Sequence, residues 1–491
     1  AHYAFLNASF ETGFSNPIDE AIRNDGSQST QGYLKKDEVP YDFIRKRLSV
    51  VLRKDNDLIM ISKGALDNIV DVCSTAENAV GEMRPLDQVR TAISEEYQRL
   101  SANGFRVLGL SYKLLQTGPL INMHDEKDMV FLGFIVLFDP PKEDIVQSIQ
   151  KLAEKGIDLK IITGDNQWVA RHLAGLIGLS PDSIMTGDEL YLMTDDALVI
   201  KAKEIAVFAE IVPAQKARIV KALQKSGAAV GYLGDGINDA NALQAADVGI
   251  SIDNAVDVAK EAADLVLLDR DINVIRHGVE EGRRTFSNTL KYITATISAN
   301  FGNMFSMALA SLILPFLPLL PVQILLNNFL SDLPAIAIAS DNVDEEMLQK
   351  PRRWDMRYIG RFMVVFGLLS SLFDFATFAL LIFVYKAAPE EFRTAWFIES
   401  LLTEILVLLV IRTGRPFFQS RPSKYLVMAS LTTFLISTTI PYLPFAYLFS
   451  FSPLPFRLYL YLLLIIMTYV LLAEISKRYL LKSGHIKSAN R

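Results

Sequence analysis

Three short segments of this chain carry the residue types that phosphoryl transfer needs. They are Thr163-Gly164-Asp165, Pro213 through Lys216, and Gly234-Asp235-Gly236-Ile237-Asn238-Asp239, each at the end of a short apolar run. Together they offer a hydroxyl, an ammonium and two carboxylates. Transfer of a phosphoryl group needs a cation against its equatorial oxygens, carboxylates holding Mg2+, and donors that fix the group. The segments differ in specificity. Thr-Gly-Asp is a common helix start in which Asp165 can serve as a cap, and Lys216 taken singly reads as a solvated helix lysine. Gly234 to Asp239 says more, because two aspartates and an asparagine crowd one strand end and its turn.

The elements that must position these residues are legible around them. From residue 129 onward short apolar runs interleave with helical stretches: VFLGFIVLF, DLKIITG, AVFAEI, AAVGYLG, VGISI and LVLL. That pattern predicts a parallel sheet with both faces covered. The carboxyl ends of such strands converge on one crevice, where ligands bind. Residues 1–125 instead mix charged helical stretches with the β-branched runs LSVVL and LIMIS. The expected division is 1–125, 126–285 and 286–491.

Composition bounds the rest. The 491 residues are 51% hydrophobic and 21% charged, with a mean hydropathy of +0.25, too high for an ordinary soluble chain. A single cysteine, Cys73, excludes a disulfide scaffold and a zinc cluster built from several thiolates. A net charge of −6 argues against a nucleic-acid partner. The first residues show no basic stretch followed by an apolar one, so no signal peptide is read. Beyond residue 285 apolar runs dominate. Residues 292–314 are uncharged over 23 positions, enough to cross about 30 Å of hydrocarbon. A second run at 322–340 holds one charge, Asp332, and others fall near 362–385, 394–411, 424–447 and 455–475. About six spans in three hairpins are expected. Lysines and arginines number fourteen in the loops after the second and fourth spans and in the tail, against three in the alternate connections. That bias places residues 1–285 and the tail in the cytosol.

In this order, TGDN, VPAQK and GDGINDANAL, followed by AADVGISI and hydrophobic hairpins, resemble a P-type cation-transporting ATPase. YDFIRKRLSVV, SKGA, GFRVLGL and FDPPKED resemble that family's nucleotide-binding domain and hinge. The resemblance covers essentially the whole chain. It implies an α/β haloacid-dehalogenase-like domain with a Rossmann-like parallel sheet, an α+β nucleotide-binding domain, and an all-α transmembrane bundle. It implies ATP and Mg2+ as cofactors. By the same resemblance Phe43 would stack on adenine, Lys63 with Gly64 would line the ATP pocket, and Arg106 would reach the nucleotide phosphates. Thr163 and Lys216, in loops completed by Gly164 and Asp165, would hold the transferred phosphoryl group. Asp235 would bind the catalytic Mg2+, with Asn238 and Asp239 supporting it. Singly, Phe43 also reads as a core aromatic and Lys63-Gly64 as a plain turn. FLNASFETGFSNPIDEAI, EGRRTFSNTLKYITATISANFGNMFSMALAS and DNVDEEMLQKPRRWD resemble the bacterial magnesium-transporting branch. The family's DKTGT motif, whose aspartate is phosphorylated, does not occur in these 491 residues. Neither do the actuator domain and the first four membrane helices. The resemblance therefore implies the C-terminal part of a pump, with the N-terminal part as its partner and no nucleophile of its own.

An ionisable side chain inside a membrane span is functional by default. Asn328, Ser331 and Asp332 lie three and four apart and are expected on one helix face. Pro334 lacks the N–H that would engage the carbonyl of Leu330. Asn300 and Asn303 supply polar atoms from the preceding span, and oxygen ligands around one carboxylate suit a hard divalent cation such as Mg2+. Asp374, Glu399 and Glu404 also fall in or near spans, with an interhelical role as open as an ionic one. Ca2+, H+ and Mn2+ remain alternative cargoes, and a non-catalytic nucleotide-binding remnant is a third class. A membrane-tethered phosphatase is rejected, because Asp139 is followed by Pro-Pro where its catalytic loop is required.

Overall fold

The structure, a computed structural model, describes residues 1–488 apart from 13–16, 25–27, 43, 116–122, 143, 270, 350 and 352–353. Lys350, Arg352, Arg353 and Arg491, part of the basic set behind the expected orientation, lie outside the described residues. The chain forms two compact units. One comprises residues 1–153 and 157–272, the other 154–156 and 273–491.

The first unit is built on a seven-stranded sheet. Its strands are β1 (Tyr33–Val39), β2 (Arg47–Lys54), β3 (Asp57–Gly64), β4 (Cys73–Glu77), β5 (Met83–Pro85), β6 (Arg106–Leu115) and β7 (Met129–Leu137), in the order β1-β2-β3-β6-β7-β4-β5. Leu48 to Leu52 are buried without alternation because both faces of β2 are covered. Ala4 and Leu6 of the helix His2–Phe10 pack on Leu48, Val50, Leu52, Ile59 and Ile61. Ile69, Ile93 and Phe131 form a separate cluster with Leu66 and Ala76. One sequence expectation fails here. VFLGFIVL, expected to open the parallel sheet, is β7, paired antiparallel with β6 and parallel with β4. A continuous apolar run reports that both faces are covered, and does not say which sheet covers them.

The parallel sheet itself comes in two pieces. β8 (Ile161–Ile162), β9 (Ile184–Thr186) and β10 (Val207–Ala209) run in the order β8-β10-β9. β11 (Gly231–Leu233), β12 (Val248–Ile252) and β13 (Leu265–Leu267) run in their chain order. All four pairings are parallel. Ile162 and Val230 pack against the apolar clusters of both pieces, which share one interior.

The second unit is helical. A helix of 42 residues, Ile272–Ile313, begins charged and ends in the uncharged stretch. Among the described residues five further helices are long and apolar enough to cross a membrane: Pro321–Ser340, Met356–Tyr385, Pro389–Ile411, Lys424–Tyr442 and Phe456–Leu480. The long helix is not among them, since Asn300, Asn303 and several serines and threonines dilute its apolar half. Pro389–Ile411 is the central member, with 78% of its apolar window buried. Phe392, Trp396, Phe397, Ile398 and Leu401 from it anchor the largest core.

Candidate active site and membrane polar clusters

The three chemistry-bearing segments are linked by hydrogen bonds and by the chain turn at Pro213. Thr163 follows β8, its N–H bonded to the carbonyl of Phe208 at 2.9 Å and its carbonyl accepting from Ile211 at 3.0 Å. The Asp165 carbonyl accepts from Glu210 at 2.9 Å. Thr163 Oγ1 donates to Asp165 Oδ2 at 3.0 Å and accepts the Asp165 N–H at 3.0 Å, closing the loop on itself. Asn166, and not Asp165, caps the next helix, accepting from Val169. From the 208–211 strand end the chain turns at Pro213 into the helix Pro213–Lys225, which carries Lys216. Proline is suited to that first turn because its missing N–H would have no partner there.

Lys216 Nζ reaches across to Asp239 Oδ1 at 2.8 Å. The same carboxylate oxygen accepts from Tyr232 Oη at 2.6 Å, and Oδ2 accepts the Gly236 N–H at 3.1 Å. Burial alone would raise the Asp239 carboxyl, but the hydrogen bonds from Lys216 and Tyr232 outweigh it and hold the group below the usual carboxylate range. Burial and the Asp239 carboxylate push the Tyr232 phenol up, so it stays a donor. Gly234 is required by this packing, since a Cβ there would stand 2.5 Å from the Cβ of Asp239. Asp235 differs from its neighbour. It is exposed and makes no side-chain hydrogen bond among the described residues, while its carbonyl accepts from Val256 at 3.1 Å. Asn238 is half-buried on the same turn.

Arg106 on β6 donates to the Asp165 carboxylate at 2.8 Å, tying the large sheet to the Thr163 loop. Burial opposes the guanidinium charge, and the Asp165 carboxylate more than restores it. Lys63 is enclosed and bonded to Asp19 and, at 3.2 Å, to Glu11. Burial lowers its ammonium against the pull of Glu11. Gly64 has a packing reason: a Cβ would meet the Lys46 carbonyl at 2.4 Å across the β2–β3 ladder. Phe43 lies outside the described residues. Sequence reading missed Tyr232, Asp19 and Glu11; the tyrosine two residues before Gly234 was the one local signal available.

In the helical unit the five proposed cation-facing residues separate. Asn303 lines a small cavity with Ser298, Ser400, Thr403, Glu404 and Tyr469, and its Oδ1 accepts from Ser400 Oγ at 3.2 Å. Ser331 lines a neighbouring cavity that also reaches Glu404. Asn300, Asn328 and Asp332 are exposed on this unit. The single face expected for Asn328, Ser331 and Asp332 is therefore not observed. Ser331 and Asp332 stand about 100° apart around a helix, and the boundary of burial runs between them. The carbonyl of Leu330, freed by Pro334, accepts from Thr433 Oγ1 at 3.2 Å. Among the described residues no group of three or more His, Cys, Asp or Glu could hold a metal ion.

Comparison with known proteins identifies the class. Residues 4–144 match the family described as P-type ATPase, cytoplasmic domain N; residues 214–278 match haloacid dehalogenase-like hydrolase; residues 316–479 match cation transporting ATPase, C-terminus. The chain belongs to the P-type ATPase family, with a haloacid-dehalogenase-like domain and a multi-pass membrane part. It is 40% identical, over 97% of its length, to proteins described as magnesium-transporting ATPase, P-type 1, from Salmonella typhimurium LT2 and Escherichia coli K12. It is 31% identical, over 90% of its length, to a calcium-transporting ATPase of Bacillus subtilis. It spans 54% of each of the first two relatives and 50% of the third, about half the length of the curated relatives it matches.

Proposed function

We propose that this chain forms the nucleotide-binding, phosphoryl-handling and C-terminal membrane part of a pump that couples ATP hydrolysis to transport of a divalent cation, Mg2+, across the cytoplasmic membrane. The observation that carries the reading is the pairing of a committed Asp239 with a free Asp235 at one strand end. Asp239 spends both oxygens on Lys216, Tyr232 and Gly236 and acts as a positioning residue that aims the Lys216 ammonium. Asp235 keeps its oxygens available, the hard-donor chemistry that suits Mg2+. A bound Mg2+ would neutralise charge on the phosphoryl group as it transfers. Lys216 and the Thr163 loop hold the group's oxygens, and Arg106 steadies that loop through Asp165. Lys63, paired with Asp19 and Glu11, would have to exchange a carboxylate for a nucleotide phosphate.

The phosphorylated aspartate belongs to a DKTGT segment outside these 491 residues. The proposed partner is accordingly the N-terminal part of the same pump, with its actuator domain and four further helices. β8 and β11 are end strands of their pieces, and Ile162 and Val230 lie between the two, which suits insertion of the strand that carries that segment. The domains are drawn at 1–144, since β7 belongs with the first sheet, then 145–285 and 286–491, with the uncharged half of the long helix as the sixth span. The cation would bind between the long helix, Pro321–Ser340 and Pro389–Ile411, with oxygens from Asn303, Ser331 and Glu404, and with Asp332, exposed on this unit but near enough to act on Glu404, at the edge of the site. Asn300 and Asn328, exposed on this unit, would face the missing helices. The magnesium identity rests on the 40% identical relatives.

The test is Asp235→Ala in the intact pump. Labelling by γ-phosphate-labelled ATP should be lost while nucleotide binding stays near wild type, and Mg2+-dependent growth of a magnesium-requiring strain should fail. Loss of nucleotide affinity with labelling retained would place Asp235 in the nucleotide pocket and refute the assignment.

A further inference from the structure

The helical unit holds a pair of carboxyls that the cation reading leaves unused. Asp374, on Met356–Tyr385, and Glu399, on Pro389–Ile411, are each 1% exposed. Their carboxyl groups are neighbours that act directly on each other. Asp374 Oδ1 accepts the indole N–H of Trp396 at 2.8 Å. Its Oδ2 accepts the hydroxyl of Ser306, on the long helix, at 2.6 Å. An indole N–H only donates, so Asp374 is fixed as an acceptor at that oxygen. Among the described residues nothing donates to the Glu399 carboxyl, and its Oε2 is buried without a partner.

Two carboxylates in contact, sealed from water, cannot both stay ionised. A single proton between them replaces repulsion by a hydrogen bond, and such a pair titrates as one unit. No countercharge does this work instead. The titratable groups facing the pair are Tyr469, from the Phe456–Leu480 helix, and beyond it Glu404, one turn and more along from Glu399; Ser306 and Trp396 carry no charge. No lysine, arginine or histidine among the described residues acts on either carboxyl. The donors on Asp374 and the bare Oε2 of Glu399 decide which member is neutral, because an unpartnered buried oxygen is far less costly on a neutral acid than on an anion.

We propose that Asp374 and Glu399 form a proton-binding site, one proton carried by Glu399 and donated to Asp374, separate from the oxygens gathered around Glu404. With the proton bound the pair has a net charge of −1 and joins the long helix, Met356–Tyr385 and Pro389–Ile411. When the proton leaves to water the charge becomes −2, and repulsion drives the last two helices apart. Proton release and helix separation are thereby the same event. The inference rests on side-chain geometry and stands whatever ion the pump carries.

Infrared spectroscopy of the chain in lipid bilayers reads the carboxylic acid C=O band directly. At neutral pH the wild-type spectrum minus that of Glu399→Gln should contain one protonated-carboxyl band, lost entirely in the variant because Gln donates to Asp374 without a proton. Asp374→Asn should leave the band but shift it, as the acceptor becomes an amide. Absence of any band in the difference, or two bands, overturns the proposal. So does loss of the band on adding Mg2+ at fixed pH, which would mean that the pair holds metal. If Glu399→Gln does not insert, Trp396→Phe keeps both carboxyls and removes one donor from Asp374; the band must then shift at constant area, and an unmoved band overturns the assignment.

Discussion

Asp341 is the most heavily loaded carboxylate in the helical unit, and its removal has a calculable cost. It lies just after the Pro321–Ser340 helix, with its side chain sealed from solvent. Oδ2 meets Lys291 Nζ at 2.8 Å and Arg412 Nη1 at 3.0 Å, and Oδ1 accepts the Ser423 N–H at 3.0 Å. Lys291 comes from the long helix, Arg412 from the end of Pro389–Ile411, and Ser423 from the start of Lys424–Tyr442. Asp341→Asn would leave two enclosed cations without their bonded anion. Stripping one partner from a buried ion pair costs about 3–5 kcal/mol. The amide keeps an acceptor oxygen, and Lys291 and Arg412 retain the carbonyls of Asn342 and Ser420, so the lower end, about 3 kcal/mol, applies. For a unit of this size that is a fall in melting temperature of about 6–12 °C. Helical circular dichroism in detergent micelles against temperature measures it. Lys291→Met added to Asp341→Asn should recover part of the loss, because one uncompensated cation is gone. If Asp341→Asn melts with the wild type, or the double variant loses the full sum of the two single changes, the ion cluster does not hold these helices together.

Three further outcomes follow from the same geometry. Asp239→Asn should destabilise the first unit by about 1.5–3 kcal/mol at neutral pH by denaturant unfolding. Because the Asp239 carboxyl is depressed in the folded state, its contribution is present above the ordinary carboxylate range and is lost as pH falls through the folded value, so the deficit of the variant should be constant from neutral pH down to about pH 5 and shrink below about pH 4. Gly234→Ala should lose phosphoenzyme formation in the intact pump while retaining nucleotide binding, since the added methyl displaces Asp239 from Lys216; unaltered labelling would show that this contact is dispensable. Asp332→Asn and Glu404→Gln should each abolish cation-stimulated ATPase activity in proteoliposomes, with Asn303→Ala weakening apparent cation affinity less, whereas full transport by Asp332→Asn would move the cation site elsewhere.

Where chemistry is carried by a compact motif, the sequence is a good guide to neighbourhood. Thr163, Lys216 and Asp239 are far apart in the chain, yet a parallel sheet brings strand ends together, and the hydrogen bonds at Phe208, Ile211 and Lys216, with the chain turn at Pro213 between them, do link them. What the motif could not say is how the two aspartates divide their work. That depends on Tyr232 and on the close approach permitted at Gly234, both of which are packing facts. β7 shows the matching limit for strands. Its apolar run registers burial on two faces, and only pairing with β6 and β4 assigns it to a sheet. Lys63 shows the limit for single charges, since its partners Asp19 and Glu11 are 44 and 52 residues away.

In the membrane half the limit has a different origin. Hydropathy marks a carboxyl in an apolar span as costly, and it marks Asp332, Asp374, Glu399 and Glu404 alike. It cannot report which of them touch. Glu399 and Glu404, five residues apart on one helix, turn to different neighbours: one to Asp374, the other to Ser331 and the cavity at Asn303. A carboxyl that meets another carboxyl is driven to share a proton, and one that meets a hydroxyl can accept its hydrogen bond. Two carboxyls of similar chemistry on one helix thus acquire different surroundings from the rotation of that helix, and which neighbours each one meets is set by the helix face it occupies.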